Sequence, residues 1–144
     1  MATFEVNAGT SKSPSEVFGF LADMTNATGW DPSIIGVART EEGPLQVGSG
    51  FSVTLGFLGA EKVLTYRITE FEAPERLVLR SESSFLVSED TVEVKANDDG
   101  GSTVRYHASL SGKGLAVLVE PFLQAVLSYF GKGAKPGLLS FLSK

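Results

Sequence analysis

Apolar and polar residues alternate through most of the stretch from residue 34 to residue 111, and a period of two is typical of half-buried β-strands. The same alternation marks the first residues of the chain. Gly-Pro, Ala-Pro, Ser-Ser and Asp-Asp-Gly-Gly steps interrupt the pattern and predict turns. Because the connections are short, we expect antiparallel neighbours. The predicted strands are 3–8, 34–40, 49–55, 61–71, 76–83, 88–96 and 102–110.

One side of this predicted sheet is apolar along nearly every strand, which indicates a single covered face. Side chains on the other parity are mostly charged or polar, as expected of a face in water. The residues predicted to lie on the covered face are Phe51, Val53, Leu55, Leu64, Tyr66, Ile68, Leu77, Leu79, Val92, Val94, Val104, Tyr106, Ala108 and Leu110.

Helical signals follow the first strand. Ser13-Pro14-Ser15-Glu16 places a capping serine before a first-turn proline, with a glutamate three residues after the cap. The pattern predicts a helix over residues 14–21. Residues 23–30 are predicted to form one or two further turns, begun by Asp23 or Thr25 and ended by Gly29.

A longer helical stripe of apolar residues begins after Gly114. Pro121 interrupts it, so we expect either a kink there or a helix whose main body starts at that proline. The sequence GKGAKPG at 131–137 is expected to weaken or break the helix again.

This order of elements resembles the SRPBCC or START-like superfamily, in its polyketide cyclase/dehydrase and lipid-transport branch. The resemblance implies an α+β helix-grip (START/Bet v-like) fold, with a seven-stranded curved antiparallel sheet around a long C-terminal helix and two short helices after strand 1. It also implies a cavity between sheet and helix. The motifs that carry it are Ser13-Pro14-Ser15-Glu16-Val17-Phe18, Trp30-Asp31-Pro32, Gly48, Phe71-Glu72-Ala73-Pro74-Glu75-Arg76-Leu77, Gly100-Gly101-Ser102-Thr103-Val104 and Pro121.

Composition narrows the functional classes. A length of 144 residues with 42% hydrophobic content predicts one domain spanning residues 1–144. A formal net charge of −5 argues against a nucleic-acid partner, which needs a basic surface. With no cysteine, one histidine and no spaced carboxylate cluster, we expect neither a metal site nor a cofactor. The N-terminus lacks the pattern of a signal peptide, so a cytoplasmic location is expected.

The sequence lacks the common motifs of hydrolases and nucleotide-binding proteins. There is no GxSxG elbow and no complete phosphate loop. His107 shares strand parity with polar residues and is predicted to face solvent, as are Arg67, Arg76, Arg80 and Arg105. Asp23 and Asp31 are candidates for the mouth of a pocket, but capping and turn formation is the interpretation we favour for each. The pairs Glu89-Asp90 and Asp98-Asp99 are interpreted as solvated loop charges.

The leading functional hypothesis is binding, or transport, of a hydrophobic small molecule such as a lipid or a polyketide-like compound. A polyketide cyclase or aromatase that works by folding its substrate is the first alternative, and an inward Arg, Asp or His near the tyrosines would favour it. A ligand-free protein-interaction module is the second. The residues expected to line the cavity are Phe18, Trp30, Phe51, Val53, Tyr66, Leu79, Val94, Tyr106, Phe122, Val126 and Tyr129.

Charge is uneven along the chain. Residues 112–144 carry four lysines against one glutamate, a net charge of +3, which leaves −8 on residues 1–111. Contact of the C-terminal helix with an anionic membrane is one interpretation. A solvated outer face on a core helix is the interpretation we favour, because four lysines over this length form a weak patch. The sequence does not predict the oligomeric state.

Overall fold

The computed structural model describes residues 1–57 and 59–144. Its strands are β1 (Ala2–Thr10), β2 (Ile34–Arg39), β3 (Gly50–Phe57), β4 (Ala60–Glu72), β5 (Arg76–Glu82), β6 (Leu86–Ala96) and β7 (Ser102–Gly112). Its α-helices are α1 (Pro14–Ala22) and α2 (Glu120–Leu142), and two 3-10 helices cover Met24–Gly29 and Gly114–Val119.

The strands form one seven-stranded sheet in the order β1-β7-β6-β5-β4-β3-β2. Every described pair of neighbours is antiparallel. The predicted strands are therefore confirmed, with shifts of one or two residues at most ends. The long C-terminal helix packs on one face of this sheet, which confirms the predicted helix-grip architecture.

Local sequence explains the first helix. The Ser13 hydroxyl accepts a hydrogen bond from the Glu16 backbone N–H at 3.2 Å, and Pro14 occupies the first turn. Asp23 then caps the following 3-10 helix by accepting the Thr25 N–H at 3.0 Å. The two short helices expected after strand 1 are thus present, the second in 3-10 form.

The C-terminal helix α2 begins at Glu120, so the main helical body starts at Pro121 rather than kinking there. A 3-10 helix precedes it. Side-chain contacts tie α2 to the edge strand β1 at both ends. The Gln124 amide exchanges two 3.1 Å hydrogen bonds with the Thr3 backbone, and the Thr10 hydroxyl donates to the Leu142 carbonyl.

The predicted break at residues 131–137 is wrong, because α2 continues through this segment with Pro136 inside it. The glycines serve close packing here. A Cβ at Gly131 would overlap the ring of Phe4, and a Cβ at Gly137 would overlap the backbone carbonyl of Trp30. Tertiary contact therefore overrides the poor helix propensity of glycine.

The outer face of the sheet carries paired charges, as predicted for the strand arginines. Arg76 bridges Glu70 and Glu93, and Arg105 bridges Glu5 and Glu93, at 2.6–3.0 Å. Arg80 and Arg67 likewise pair with glutamates. His107 on β7 lies opposite Glu5 on β1, so its side chain is on the same outer face of the sheet, as predicted. These groups lie on the face of the sheet opposite the covered one.

Candidate ligand-binding cavity

A cavity of about 590 Å³ lies between α2 and the concave face of the sheet. The sheet contributes apolar side chains from β1 to β7, among them Phe4, Val53 and Ala108. The 3-10 helix at Met24–Gly29 closes one side, and the inner stripe of α2 covers the top. That stripe consists of Leu123, Val126, Leu127, Phe130, Ala134 and Leu138. The volume suits a drug-sized ligand.

The floor of the cavity carries four polar side chains, called here the polar strip: Tyr66, Ser88, Asp90 and Tyr106. The hydroxyls of Tyr66 and Ser88 share a 2.8 Å hydrogen bond. The Tyr106 hydroxyl donates to Oδ2 of Asp90 at 2.6 Å. Since Tyr106 lies on β7, Asp90 and Ser88 on β6, and Tyr66 on β4, the strip crosses the central strands.

Asp90 faces the cavity because it shares strand parity with the buried residues Val92 and Val94. The prediction that Glu89-Asp90 is a pair of solvated loop charges is therefore wrong for Asp90. Both residues lie within β6. Glu89, on the opposite parity, pairs with Arg80 at 3.3 Å. The predicted strand 88–96 already contains Asp90, and its alternation places Asp90 on the same face as Val92 and Val94.

The pKa of Asp90 is raised to about 6, mainly by burial and in smaller part by the nearby carboxylates of Asp31 and Glu89, although the hydrogen bond from Tyr106 lowers it. Burial also raises the pKa of Asp31, although two hydrogen bonds from Ser33 lower it. Desolvation raises the pKa of the Tyr66 and Tyr106 phenols, so both stay protonated near neutral pH.

Trp30 forms part of the cavity wall. Its ring meets the Tyr106 ring edge-on, with centroids 5.5 Å apart and planes at 75°. Next to it, Asp31 Oδ1 accepts the Ser33 N–H at 3.0 Å and the Ser33 hydroxyl at 2.7 Å. The turn reading of Asp31 is confirmed, but Asp31 also lines the cavity. Gly137 of α2 packs on the Trp30 carbonyl and holds this loop in place.

Seven of the predicted lining residues do line the cavity. They belong to the wall next to the 3-10 helix Met24–Gly29, to the strands that form the cavity floor, and to α2. Binding by these side chains remains a prediction. The seven are Trp30, Val53, Tyr66, Leu79, Tyr106, Phe122 and Val126.

Four predicted lining residues lie elsewhere. Phe18 packs edge-on against Phe71 at 5.4 Å, because α1 covers that end of the sheet. Phe51 and Val94 are buried in the packed core. Tyr129 is 53% exposed on α2, beside the inner stripe rather than within it. The cavity therefore occupies only part of the covered face.

Neither a cluster of potential metal ligands nor a helix that could span a membrane occurs among the described residues. No group of three or more potential metal ligands occurs among them. None of the helices in residues 1–57 and 59–144 is long and apolar enough to cross a membrane. Arg39, the one inner-parity arginine on β2, lies near the Phe51 ring at 5.7 Å and is not part of the cavity lining.

Comparison with known sequences gives one family. The model described as polyketide cyclase / dehydrase and lipid transport matches residues 1–136. No curated protein sequence matches the chain.

Comparison with solved structures shows the same fold at low identity. A Zhui aromatase/cyclase from Streptomyces sp. R1128 superposes with a TM-score of 0.77 at 14% identity, covering 97% of this chain and 92% of that one. A START superfamily protein from Mycobacterium smegmatis gives 0.75 at 9% identity, over 99% and 97%. A protein from Thermobifida fusca gives 0.64 at 21% identity, over 93% and 85%. Identities at this level establish the fold alone.

Proposed function

Because the chain belongs to the polyketide cyclase / dehydrase and lipid transport family, we propose that its cavity binds a mainly apolar small molecule that carries a few oxygen atoms. One observation supports this most strongly. A cavity of about 590 Å³ has an apolar lining that is interrupted on its floor by two hydrogen-bonded polar pairs. An apolar wall with a few placed polar groups is the usual composition of a small-molecule site.

Binding free energy would come from burial of the ligand against the sheet and α2. Apolar area contributes about 25 cal/mol per Å² before the cost of ordering is subtracted. The polar strip would contribute orientation, because an unpaired oxygen in an apolar cavity costs free energy whereas a paired one does not.

Native mass spectrometry of the protein purified from its own source tests this proposal. We expect a co-purifying mass that is released by organic solvent and partitions into it. Ligand-free spectra from repeated preparations, together with no binding of added hydrophobic probes, would reject it. The open cavity does not fit the alternative of a ligand-free interaction module, which would fill its interior with its own side chains.

Catalysis of the cyclase type is a second candidate, favoured by the 2.6 Å contact between Asp90 and Tyr106. A carboxylate in an apolar site can accept the acidic proton between two carbonyl groups, and the resulting enolate carbon can then bond to a second carbonyl held nearby. That second oxygen would take up a proton from solvent or an acid and become a hydroxyl, and its loss as water together with a proton from the adjacent carbon, followed by enolisation, would give the aromatic ring.

A synthetic poly-β-ketone tests the catalytic candidate. The wild-type protein should speed the appearance of the aromatic product's absorbance, and Asp90→Asn should slow it at unchanged substrate affinity. A wild-type rate equal to that of buffer would reject catalysis of this substrate class and leave ligand binding intact.

A further inference from the structure

We propose that the cavity selects ligands whose polar end donates a hydrogen bond and bears no negative charge, and that it rejects anionic amphiphiles of the same size. This inference rests on the proposed function, since it concerns the same cavity. It goes beyond that function by stating which head groups the cavity accepts: hydroxyl, phenol or amine rather than carboxylate, sulfonate or phosphate.

The charges around the cavity are the first observation. Its charged lining residues are Asp23, Asp31, Glu61, Lys62, Asp90 and Lys135. Glu61, Lys62 and Lys135 are exposed, so their charges reach water at the open side. Within the part of the chain that the structure describes, neither Asp31 nor Asp90 forms an ion pair. The interior therefore presents carboxylates without a balancing cation.

The spare hydrogen-bonding capacity of the wall is the second observation. Oδ2 of Asp90 accepts from Tyr106, and among the described contacts its Oδ1 accepts no hydrogen bond. Oδ1 of Asp31 accepts twice from Ser33, and its other oxygen accepts no described bond. The hydroxyl of Tyr106 has a single proton, and it already donates that proton to Asp90. The free sites near Asp90 are therefore mainly acceptors, which need a donor.

A ligand hydroxyl would satisfy such an acceptor, whereas a ligand carboxylate would add a further negative charge beside Asp31 and Asp90 in an apolar cavity. Like charges in a poorly solvated site repel more strongly than in water, and each must also lose its hydration. The lysines at the open side are solvated and screened, so they compensate for little of this cost.

Matched pyrene probes test the selection. We would measure the affinity of 1-pyrenebutanol, its methyl ether and 1-pyrenebutyrate at pH 8 by fluorescence titration. The alcohol carries a donor, the ether carries none, and the butyrate is anionic. We expect the alcohol to bind about tenfold more tightly than the butyrate and more tightly than the ether.

Substitutions assign the effect to the cavity carboxylate. Asp90→Asn should bring the alcohol-to-butyrate affinity ratio down by about fivefold or more, because it removes the interior charge and keeps the shape. Glu89→Gln is the matched control. It removes the same charge from the neighbouring residue, whose side chain pairs with Arg80 on the outer face, and it should leave the ratio unchanged.

A measurement on the wild type keeps the test valid if Asp90→Asn fails to fold. 1-Pyrenesulfonate stays anionic at all working pH values, so its affinity should rise by about tenfold from pH 8 to pH 5 as the Asp90 carboxylate on the cavity floor takes up a proton. Asp31, Glu89, Tyr66 and Tyr106 are the titratable groups that act on Asp90.

The outcomes separate the two proposals. If none of the probes binds and the purified protein carries no co-purifying ligand, the proposed function fails. If the butyrate binds as tightly as the alcohol, or more tightly, the selection is overturned and ligand binding stands. If the ether equals the alcohol while the butyrate remains weak, the requirement for a donor is wrong.

Discussion

Asp90 is the residue on which most of the proposed chemistry depends. Its carboxylate lies on the cavity floor, bonded to the Tyr106 hydroxyl, and burial raises its pKa to about 6. A buried carboxylate without an ion pair costs folding free energy whenever it is ionised. A group that weakens the fold and faces a cavity is a common sign of a functional site.

This cost predicts how stability changes with pH. Because the pKa of Asp90 is raised in the folded protein, the folded state holds this proton up to higher pH than the unfolded chain does. The contribution favours folding below about pH 4 and is lost as pH rises through 6. Asp90→Asn should therefore raise the free energy of unfolding at pH 8 by about 1–3 kcal/mol.

Urea unfolding of wild type and variant from pH 4 to pH 8 measures this difference. The gain should shrink as the pH falls, because wild-type Asp90 is then neutral as well. Glu89→Gln serves as the comparison and should show no gain that grows with pH. A constant difference between wild type and Asp90→Asn at all pH values would contradict the raised pKa.

At the scale of elements, the position of α2 is set by glycines in its second half. Gly131 packs on the Phe4 ring and Gly137 on the Trp30 carbonyl, so the helix lies closer to the sheet and loop than a helix with larger side chains could. The loop that carries Trp30 into the cavity wall depends on this close approach. Packing distance, rather than helix propensity, explains these glycines.

Two glycine-to-alanine substitutions separate packing from propensity. Gly137→Ala should lower the free energy of unfolding by about 1–3 kcal/mol, because the new Cβ overlaps the Trp30 backbone. Gly19→Ala in α1 should raise it by about 0.5–1 kcal/mol, because no described atom lies within 4 Å of its Cβ position and alanine favours the helix. Thermal unfolding of both variants measures the effects. Stabilisation by both would show that α2 does not pack closely at Gly137.

The molecule as a whole combines a packed end and an open end on the same covered face. Helix α1 fills one end with Val17 and Phe18, both buried. The other end, under α2, keeps a cavity of about 590 Å³. An unfilled apolar cavity forgoes dispersion contacts, so a ligand that fills it should stabilise the folded state.

A larger side chain built into the cavity should occupy the space of the ligand, so that an added ligand no longer stabilises the protein. Leu64 lines the cavity, and its neighbour Thr65 is exposed on the opposite parity. With 1-pyrenebutanol at about 100 times its dissociation constant, wild type and Thr65→Trp should gain about 2.7 kcal/mol of stability. Leu64→Trp should bind the probe at least about tenfold more weakly and show a much smaller gain in melting temperature. Equal gains in all three proteins would place the probe outside this cavity.

Most of the fold could be predicted from the sequence because it depends on local patterns. Alternation predicts the seven strands, Ser13 predicts the start of the first helix, and the choice between Asp23 and Thr25 for the second is decided by the structure in favour of Asp23. The same alternation places Asp90 on the covered face, and the interpretation of Glu89-Asp90 as solvated loop charges is wrong for Asp90 because it follows charge alone and not strand parity. Seven of the residues that line the cavity could be predicted by combining strand parity, which identifies the covered face, with the family resemblance, which implies a cavity.

Local pattern by itself determined which residues are strand or helix and which strand face is covered, because both follow from side-chain spacing along the chain. Only the tertiary structure decided where the covered face is packed and where it is open, because that depends on which end α1 covers and how closely α2 approaches. For the same reason it placed Phe18 and Phe51 in the core, carried α2 through Gly131 and Gly137, and brought Asp90 and Asp31 into one cavity. These contacts join residues that are distant in sequence, and no local spacing encodes them.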